Sequence, residues 1–290
     1  MQIAISIIFF TLIYLIIAKS YQLTYTSSGF FQLTHAVVVA IAAYFVYWLH
    51  IQLYLNLFFS VFFSILLSSL IGWVADYLVY RHLRKCMIGN MGLMIASLGL
   101  FVVLQNIIST IWGDRVLSFR SWPVDQTIGF ENINMSLVQL ITIIVCFLLL
   151  LFLWWFSEKT RKGKSIIMIS INPTTSEILG VKKDNAIGWS FFVGSLCAAF
   201  AGILIAANYN IIPKMGFNWI FPAIVAMIIG GTGQMRYLVF GALLLATSQH
   251  LSAYYLDSKW MNATAYIILI VFLCFRPYGF SGRKLKKTEV

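Results

Sequence analysis

Hydrophobic residues in this chain form long stretches, and polar residues are confined to the short segments between them. A helix that crosses a bilayer needs about 20 predominantly apolar residues, and most of the stretches approach or exceed that length. The short segments of alternating polarity that mark an outer-membrane barrel are absent. We therefore predict an all-α, polytopic integral membrane bundle, a single transmembrane domain over residues 1–290 with about nine segments: 3–18, 29–49, 52–75, 88–112, 136–156, 187–207, 218–233, 236–256 and 260–275.

The composition of the chain also favours a membrane protein. Of its 290 residues 61% are hydrophobic, 16% are aromatic and only 10% are charged. That leaves too little polar surface to cover a soluble globular protein. In lipid the backbone must satisfy its own hydrogen bonds, and a helix does so within one segment. Helices are therefore the expected spanning element.

Positive charge is distributed unevenly between the two predicted faces of the membrane. If the amino terminus lies outside, 16 of the 20 Lys and Arg residues fall on one face, and the other face has Arg115, Arg120, Lys214 and Lys259. Basic residues concentrate on the cytoplasmic side of membrane proteins. We therefore predict an external amino terminus and a cytoplasmic carboxyl terminus. The loop over residues 113–135 is then external and the loop over residues 157–188 is cytoplasmic, and the net charge needs no nucleic acid to explain it.

Residues for catalysis or metal binding are not grouped in this sequence. The four cysteines, Cys86, Cys146, Cys197 and Cys274, stand singly, without the paired spacing of a zinc site or an extracellular disulfide. No nucleotide-binding loop and no HExxH motif is present, and acidic residues within the predicted spans are nearly absent. We expect no catalytic residue, metal or cofactor on this chain. A transporter that lacks a nucleotide-binding loop and intramembrane acids has no energy source of its own, so it would take its energy from another subunit.

The cytoplasmic loop contains a short segment with helix signals at both ends. Asn172 suits the N-cap, Pro173 the first helical position, and Gly180 the stop after the last turn. The helix between them has about two turns, too few to be stable alone in water. We predict a docking surface for another protein, with Asn172, Pro173, Thr174, Ser176, Glu177 and Gly180 as its candidate residues. The alternative is a helix that lies on the bilayer surface, where flanking lysines contact headgroups.

Polar residues and glycines inside the predicted spans are candidates for a translocation path, because polar groups at membrane depth must face protein or water. The candidates are Gln32, His35, Gln105, Asn106, Gly230, Gly231 and Gly233. For His35, a hydrogen bond to a neighbouring carbonyl near the cytoplasmic interface is an equally good interpretation. For Gln105 and Asn106, hydrogen bonding between helices is the competing one.

Five motifs together resemble a known family. They are Gln32-Leu33-Thr34-His35-Ala36, where the family has an Asn-Phe-Ala-His-Gly pattern; Arg81-His82-Leu83-Arg84 before the fourth span; Leu104-Gln105-Asn106; Ile229-Gly230-Gly231-Thr232-Gly233 with Gly241 in the following helix; and Phe275-Arg276-Pro277-Tyr278-Gly279-Phe280-Ser281-Gly282. On these motifs, which are distributed over most of its length, the chain resembles the permease subunits of branched-chain amino acid type ABC transporters. The same group includes urea and amide permeases.

The resemblance implies that residues 172–181 are a coupling helix, which in this family seats in a groove of an ATPase subunit. It also implies an importer in the bacterial cytoplasmic membrane that works by alternating access. Its partners would be a second permease, two ATP-binding subunits and an external substrate-binding protein. The chain departs from the family in the coupling helix itself, where Thr174, Thr175 and Ser176 replace an acid and alanines.

Several functions remain open at this point. Branched-chain amino acids are the expected substrates, and urea, short amides or sugars are the alternatives for an importer of this type. A stand-alone secondary transporter or channel, which needs no ATPase, is the alternative from another class. An intramembrane enzyme ranks last, because no nucleophile or pair of carboxylates can be placed at membrane depth.

Overall fold

The computed structural model describes residues 2–120, 127–130, 133–231, 235–276 and 279–280. Within these residues the chain forms twelve α-helices, two π-helical segments, Trp48–Gln52 and Asp76–Tyr80, and two short strands. The helices are α1 (Gln2–Ser28), α2 (Thr34–Tyr47), α3 (Leu57–Ala75), α4 (Arg81–Lys85), α5 (Asn90–Trp112), α6 (Leu137–Lys159), α7 (Arg161–Ile171), α8 (Pro173–Ile178), α9 (Lys183–Asn208), α10 (Met215–Gly230), α11 (Met235–Tyr255) and α12 (Trp260–Phe275), and the strands are β1 (Thr127–Phe130) and β2 (Ile133–Ser136).

Each predicted hydrophobic stretch coincides with a helix, so the prediction of a helical membrane protein is confirmed. Among the described residues, six helical spans are long and apolar enough to cross a bilayer: Ile3–Ser28, Thr34–Gln52, Leu57–Lys85, Asn90–Trp112, Leu137–Lys159 and Lys183–Asn208. The helices α10 and α12 are apolar but shorter. The number of nine crossings and the orientation of the termini stay predictions.

The first helix is longer than the sequence indicated. We expected it to end near residue 18, before a polar stretch, but α1 continues through Lys19 to Ser28. The hydroxyls of Thr24, Ser27 and Ser28 donate to carbonyls one turn earlier, at 2.7–3.0 Å. A polar segment can thus remain helical because its side chains bond to its own backbone. The helix stops at Gly29, where φ is +78°.

The described residues divide into two compact units. The first, which we call the α2/α9 unit, combines the described residues of Ser20–Phe119 and Leu151–Phe217. Within it α2 and α9 are the most buried helices, and α9 packs on both α2 and α3. The approach of α9 to α2 is close, because a β-carbon at Gly202 would overlap the carbonyl oxygen of Val39. Small residues at such crossings permit backbone contact where lipid supplies no hydrophobic drive.

The second unit, the α10–α12 unit, combines the described residues of Met1–Lys19, Arg120–Leu150 and Asn218–Lys284. Its helices α11 and α12 pack together, and Gln249 Nε2 donates to the carbonyl of Met261 at 3.1 Å. Near the start of α1 the ring of Phe10 stacks on Trp219, with centroids 5.4 Å apart. An aromatic stack and an amide hydrogen bond therefore contribute to the packing inside this unit.

A short hairpin departs from the all-helical expectation. The strands β1 and β2 pair antiparallel, with Thr127 opposite Ser136 and Phe130 opposite Ile133. They lie in the predicted external loop over residues 113–135. Residues 121–126 and 131–132 of that loop lie outside the described residues.

Replacing Gly202 with alanine should destabilise the α2/α9 unit. The new β-carbon would overlap the Val39 backbone, and overpacking of this kind costs about 1–3 kcal/mol. The matched control is Gly99→Ala in α5, where a β-carbon meets nothing within 4 Å. We expect the thermal unfolding midpoint in detergent to fall for Gly202→Ala and to stay level or rise for Gly99→Ala. Equal midpoints would contradict the close helix crossing.

Candidate functional site

The predicted cytoplasmic loop over residues 157–188 is mostly helical. The expected short helix is present as α8, but α6 extends to Lys159 and a further helix, α7, precedes α8. The side chain of Thr160 caps α7 by accepting from the amide of Gly163 at 3.0 Å. The helix α7 buries Ile166 and Ile169 and packs on α9. The helix α7 was not predicted, because its buried apolar positions are few and its first half is basic.

The start of α8 has the geometry that the sequence predicted. Asn172 has an extended backbone, and its Oδ1 accepts from the amide of Thr175 at 3.2 Å. Pro173 occupies the first helical position, where no amide hydrogen is needed. The prediction of an N-cap at Asn172 is therefore confirmed.

The end of α8 is an equally well-defined turn. Gly180 has a φ of +85°, a left-handed conformation that favours glycine. The amide of Gly180 donates to the carbonyl of Glu177 at 2.9 Å, and the amide of Val181 donates to that of Ser176 at 3.0 Å. These two bonds form a Schellman motif, which satisfies carbonyls at the helix end. The prediction that Gly180 stops the helix is confirmed.

The residues predicted for docking divide into two groups. Ser176 is buried, and its hydroxyl donates to the carbonyl of Asn172 at 2.8 Å. Together with Asn172, Pro173 and Gly180, this side chain shapes the helix from within the loop. Thr174 and Glu177 are exposed and are available to a partner.

The largest exposed apolar side chains of this helix were not predicted as site residues. Ile178 is 82% exposed and Leu179 is 66% exposed. The adjoining helix α7 also leaves Met168 and Ile171 exposed. The signal in the sequence was an apolar pair directly before the stop glycine of a polar loop. A protein partner or the bilayer surface would cover exposed apolar side chains of this kind.

Two of the predicted path residues, Gln32 and His35, are buried within the α2/α9 unit. The ring of His35 lies against Tyr21 with centroids 5.7 Å apart, and its Nε2 is 3.1 Å from the hydroxyl of Ser20. The backbone amide of Gln32 donates to the hydroxyl of Tyr21 at 3.0 Å. Among the described residues, the side-chain oxygen and nitrogen of Gln32 have no hydrogen-bond partner. Such groups are rare in folded proteins, and each one needs an explanation.

The amides of α5 do not join this buried pair. Ser97 of α5 bonds to the backbone before α2, accepting from the amide of Leu33 at 3.3 Å. Asn106 lies nine residues further along α5, or about 13 Å of helical rise. Its side chain is exposed and donates to the carbonyl of Val102 at 2.7 Å, and Gln105 beside it is partly exposed.

The glycine motif after α10 serves helix packing in the part that the structure describes. Gly230 is the last residue of α10, and a β-carbon there would contact the backbone of Tyr237 and Leu238 in α11 at 2.6–2.9 Å. Gly231 follows with a φ of +81°. Gly233, the remaining path candidate, lies outside the described residues.

No group of three or more His, Cys, Asp or Glu side chains in the described ranges could hold a metal ion. The geometry of the loop therefore offers shape and apolar contact. The capped helix α8, presented between α7 and α9, is the candidate site for a protein partner.

Comparison with known proteins shows a family match over most of the chain and similarity to two transport permeases. The family described as "Branched-chain amino acid transport system / permease component" matches residues 3–274. The chain is 27% identical to the high-affinity branched-chain amino acid transport system permease protein LivH of Escherichia coli, over 93% of this chain and 91% of that protein. It is 26% identical to the corresponding protein BraD of Pseudomonas aeruginosa, over 93% of this chain and 92% of that protein.

Two further similarities are more distant. The autoinducer 2 import system permease protein LsrC of Yersinia pestis is 30% identical over 44% of this chain and 39% of its own length. Among solved structures, PsaBC from Streptococcus pneumoniae in complex with Fab matches with a TM-score of 0.53 at 12% identity, covering 99% of this chain and 95% of that one. At this identity the structural similarity shows the fold alone.

Removing the cap of α8 should loosen that helix without affecting α7. Asn172→Ala deletes the acceptor for the Thr175 amide, at a cost of about 1 kcal/mol, which corresponds to roughly fivefold faster hydrogen exchange there. Thr160→Ala is the matched control, because it removes the cap of α7 instead. Exchange measured by mass spectrometry should rise at Thr175 only in the first variant. An unchanged rate would show that the cap does not stabilise α8.

Proposed function

The chain belongs to the family of permease components of branched-chain amino acid transport systems, and on that premise we propose that α8 is the element through which ATPase subunits drive it. The membrane subunit of an ATP-driven importer has no energy source of its own, so it needs a contact that transmits force. A helix held at both ends by its own hydrogen bonds can move as a rigid piece. The caps at Asn172 and Gly180 support that role.

The observation that carries the proposal is the exposure of Ile178 and Leu179 at the tip of α8. Each leaves most of its side chain uncovered by the described part of the chain. Burying such a side chain contributes about 1.5–3 kcal/mol. A groove in an ATPase subunit would cover both, with Glu177 and Thr174 as polar contacts at the rim. Apolar anchors surrounded by polar contacts are typical of binding hot spots.

The complete importer would contain this chain, a second permease subunit, two ATP-binding subunits and an external substrate-binding protein, in the bacterial cytoplasmic membrane. ATP binding would close the ATPases and displace α8. Helices around the path would then tilt, so that the solute site opens first to one side and then to the other. The chemistry of ATP hydrolysis would take place on the partner subunits.

Branched-chain amino acids are the proposed substrates. The names of the relatives LivH and BraD refer to these amino acids, and both relatives match over nearly the whole chain. Urea, short amides and sugars are the alternatives. A binding assay on the cognate external binding protein, with leucine, isoleucine, valine, urea and a sugar as probes, distinguishes among them.

The buried side chains of Gln32 and His35 are proposed to reach the path in another state of the cycle. The unpartnered amide of Gln32 supports this proposal, since alternating access would expose it to water or solute. Gln105 and Asn106 are proposed to face the path or a neighbouring subunit, because an amide at membrane depth is costly when it faces lipid. Gly230 and Gly231 would let α10 and α11 approach beside that path.

A stand-alone transporter or channel is the competing proposal. It predicts that the purified chain moves solute in liposomes with no ATP-binding subunit present. The importer proposal predicts that an ATP-binding subunit co-purifies and that uptake requires ATP. Uptake by the chain alone would favour the competing proposal.

Polar substitutions at the tip of α8 should weaken ATPase binding. Ile178→Ser together with Leu179→Ser removes two apolar anchors, and we expect affinity for the ATP-binding subunit to fall by about tenfold or more. The control is Met91→Ser, which alters another exposed apolar side chain, 78% exposed, on α5. Co-purification measures both variants. Equal recovery of the ATP-binding subunit would contradict docking at this tip.

Replacing Gln32 with methionine should separate stability from transport. The change removes a buried amide without partners, so the thermal unfolding midpoint should rise by a few degrees, about 1 kcal/mol of stability. Uptake of leucine should fall if Gln32 contacts water or solute during the cycle. Ser68→Ala is the control, because it removes a different buried polar group without a hydrogen-bond partner, the Ser68 hydroxyl in α3. If both variants transport normally, Gln32 does not act in the path.

A further inference from the structure

Four charged side chains join the end of α3 that leads into α4 to the first turn of α9. The carboxylate Oδ1 of Asp76 accepts from Nη1 of Arg84 at 2.7 Å. Nη2 of the same guanidinium is 3.7 Å from Oδ1 of Asp184, and Nε of Arg81 is 3.2 Å from Oδ2 of Asp184. Arg84 therefore hydrogen-bonds Asp76 and makes a longer ionic contact to Asp184, which in turn accepts a hydrogen bond from Arg81. All four residues lie in the α2/α9 unit.

The inner half of this network is buried and the outer half is not. The side chains of Asp76 and Arg84 are 3% and 11% exposed, whereas those of Arg81 and Asp184 are 31% and 33% exposed. A buried carboxylate is tolerated only when a cation compensates its charge. The Asp76–Arg84 pair is thus a fixed element, and the contact to Asp184 is the part that can be altered without leaving a buried charge alone.

The backbone around Asp76 is also irregular. Asp76–Tyr80 is π-helical and interrupts the rod formed by α3 and α4. Single π-helical turns inside α-helices are rare overall, and those that occur are often found at functional sites. Gly188 of α9 packs at the same place, since a β-carbon there would lie 3.4 Å from Trp73 Nε1 and 3.8 Å from Asp76 Oδ2. The irregular turn therefore lies directly against α9.

The position of Asp184 connects the charged network to α8. Asp184 is the second residue of α9 and follows the stop glycine of α8, Gly180, by four residues. A displacement of α8 must move this junction, because the connecting segment is short. We propose that Arg84, through Asp184, is a positioning residue that transmits the movement of α8 to α3. This inference rests on the proposed function of α8.

The network differs from a purely structural ion pair in what its loss should do. A structural pair would lower stability and all activities together. Loss of a pair that transmits movement would leave the ATPases docked on α8 and active, but fewer solute molecules would be transported for each ATP hydrolysed. The ratio of solute transported to ATP hydrolysed separates these two roles, and coupling effects of this kind typically amount to about 2- to 30-fold.

The test is Asp184→Asn in the complete complex with its ATP-binding subunits, reconstituted in liposomes with the external binding protein and leucine. The buried Asp76–Arg84 pair stays intact in this variant, so the unfolding midpoint should stay within about two degrees of wild type. We expect the ratio of leucine uptake to ATP hydrolysis to fall by about threefold or more. Asp184→Glu should restore most of it, and Asp257→Asn, between α11 and α12, is the control for loss of one carboxylate.

The outcomes are distinguishable. If the wild-type complex shows ATP-dependent uptake and Asp184→Asn leaves the ratio of leucine uptake to ATP hydrolysis unchanged, the role of the network is overturned and the proposed function of α8 is not. A proportional loss of stability, hydrolysis and uptake would also overturn the role of the network and leave a structural pair. If the wild-type chain neither retains an ATP-binding subunit nor shows ATP-dependent uptake, the proposed function fails, and this inference fails with it.

Discussion

Ile178 and Leu179 are held at the tip of a six-residue helix, and the described part of the chain does not cover them. A helix of this length is unstable in isolation because nucleation costs more than its few hydrogen bonds return. Here the side-chain cap at Asn172 and the left-handed turn at Gly180 offset that cost. The result is a rigid apolar projection between two longer helices. The proposed role of the chain depends on this projection, because Ile178 and Leu179 are the apolar side chains that a groove in an ATPase subunit would cover.

The rest of the α2/α9 unit links this projection to the transmembrane helices. The helix α9 begins four residues after Leu179 and then packs on α2 and α3 along most of its length. Gly202 brings the backbone of α9 against Val39, so α9 and α2 are in direct contact at this crossing. The charges around Arg84 add a polar connection at the end of α3 that leads into α4. Movement of α8 would therefore reach several helices at once, which an alternating-access cycle requires.

Much of this arrangement could be predicted from sequence, because local rules determine it. The length of the apolar stretches predicted the helices, and Asn172, Pro173 and Gly180 predicted both ends of α8. Other features depend on contacts between distant residues. The extension of α1 to Ser28 relies on hydroxyls that bond to their own backbone, and a polar composition conceals this. The burial of Ser176 and the exposure of Ile178 depend on how α7 and α9 flank α8. The bridge from Arg84 to Asp184 spans 100 positions in the sequence.

Photo-crosslinking from position 178 is the most direct test of the central claim. A photoreactive amino acid would replace Ile178 in the full chain, expressed with its transport partners, and a second variant would carry it at Met91. The account predicts a covalent adduct with an ATP-binding subunit from position 178 and none from position 91. Adducts with lipid alone, or equal capture from both positions, would contradict it.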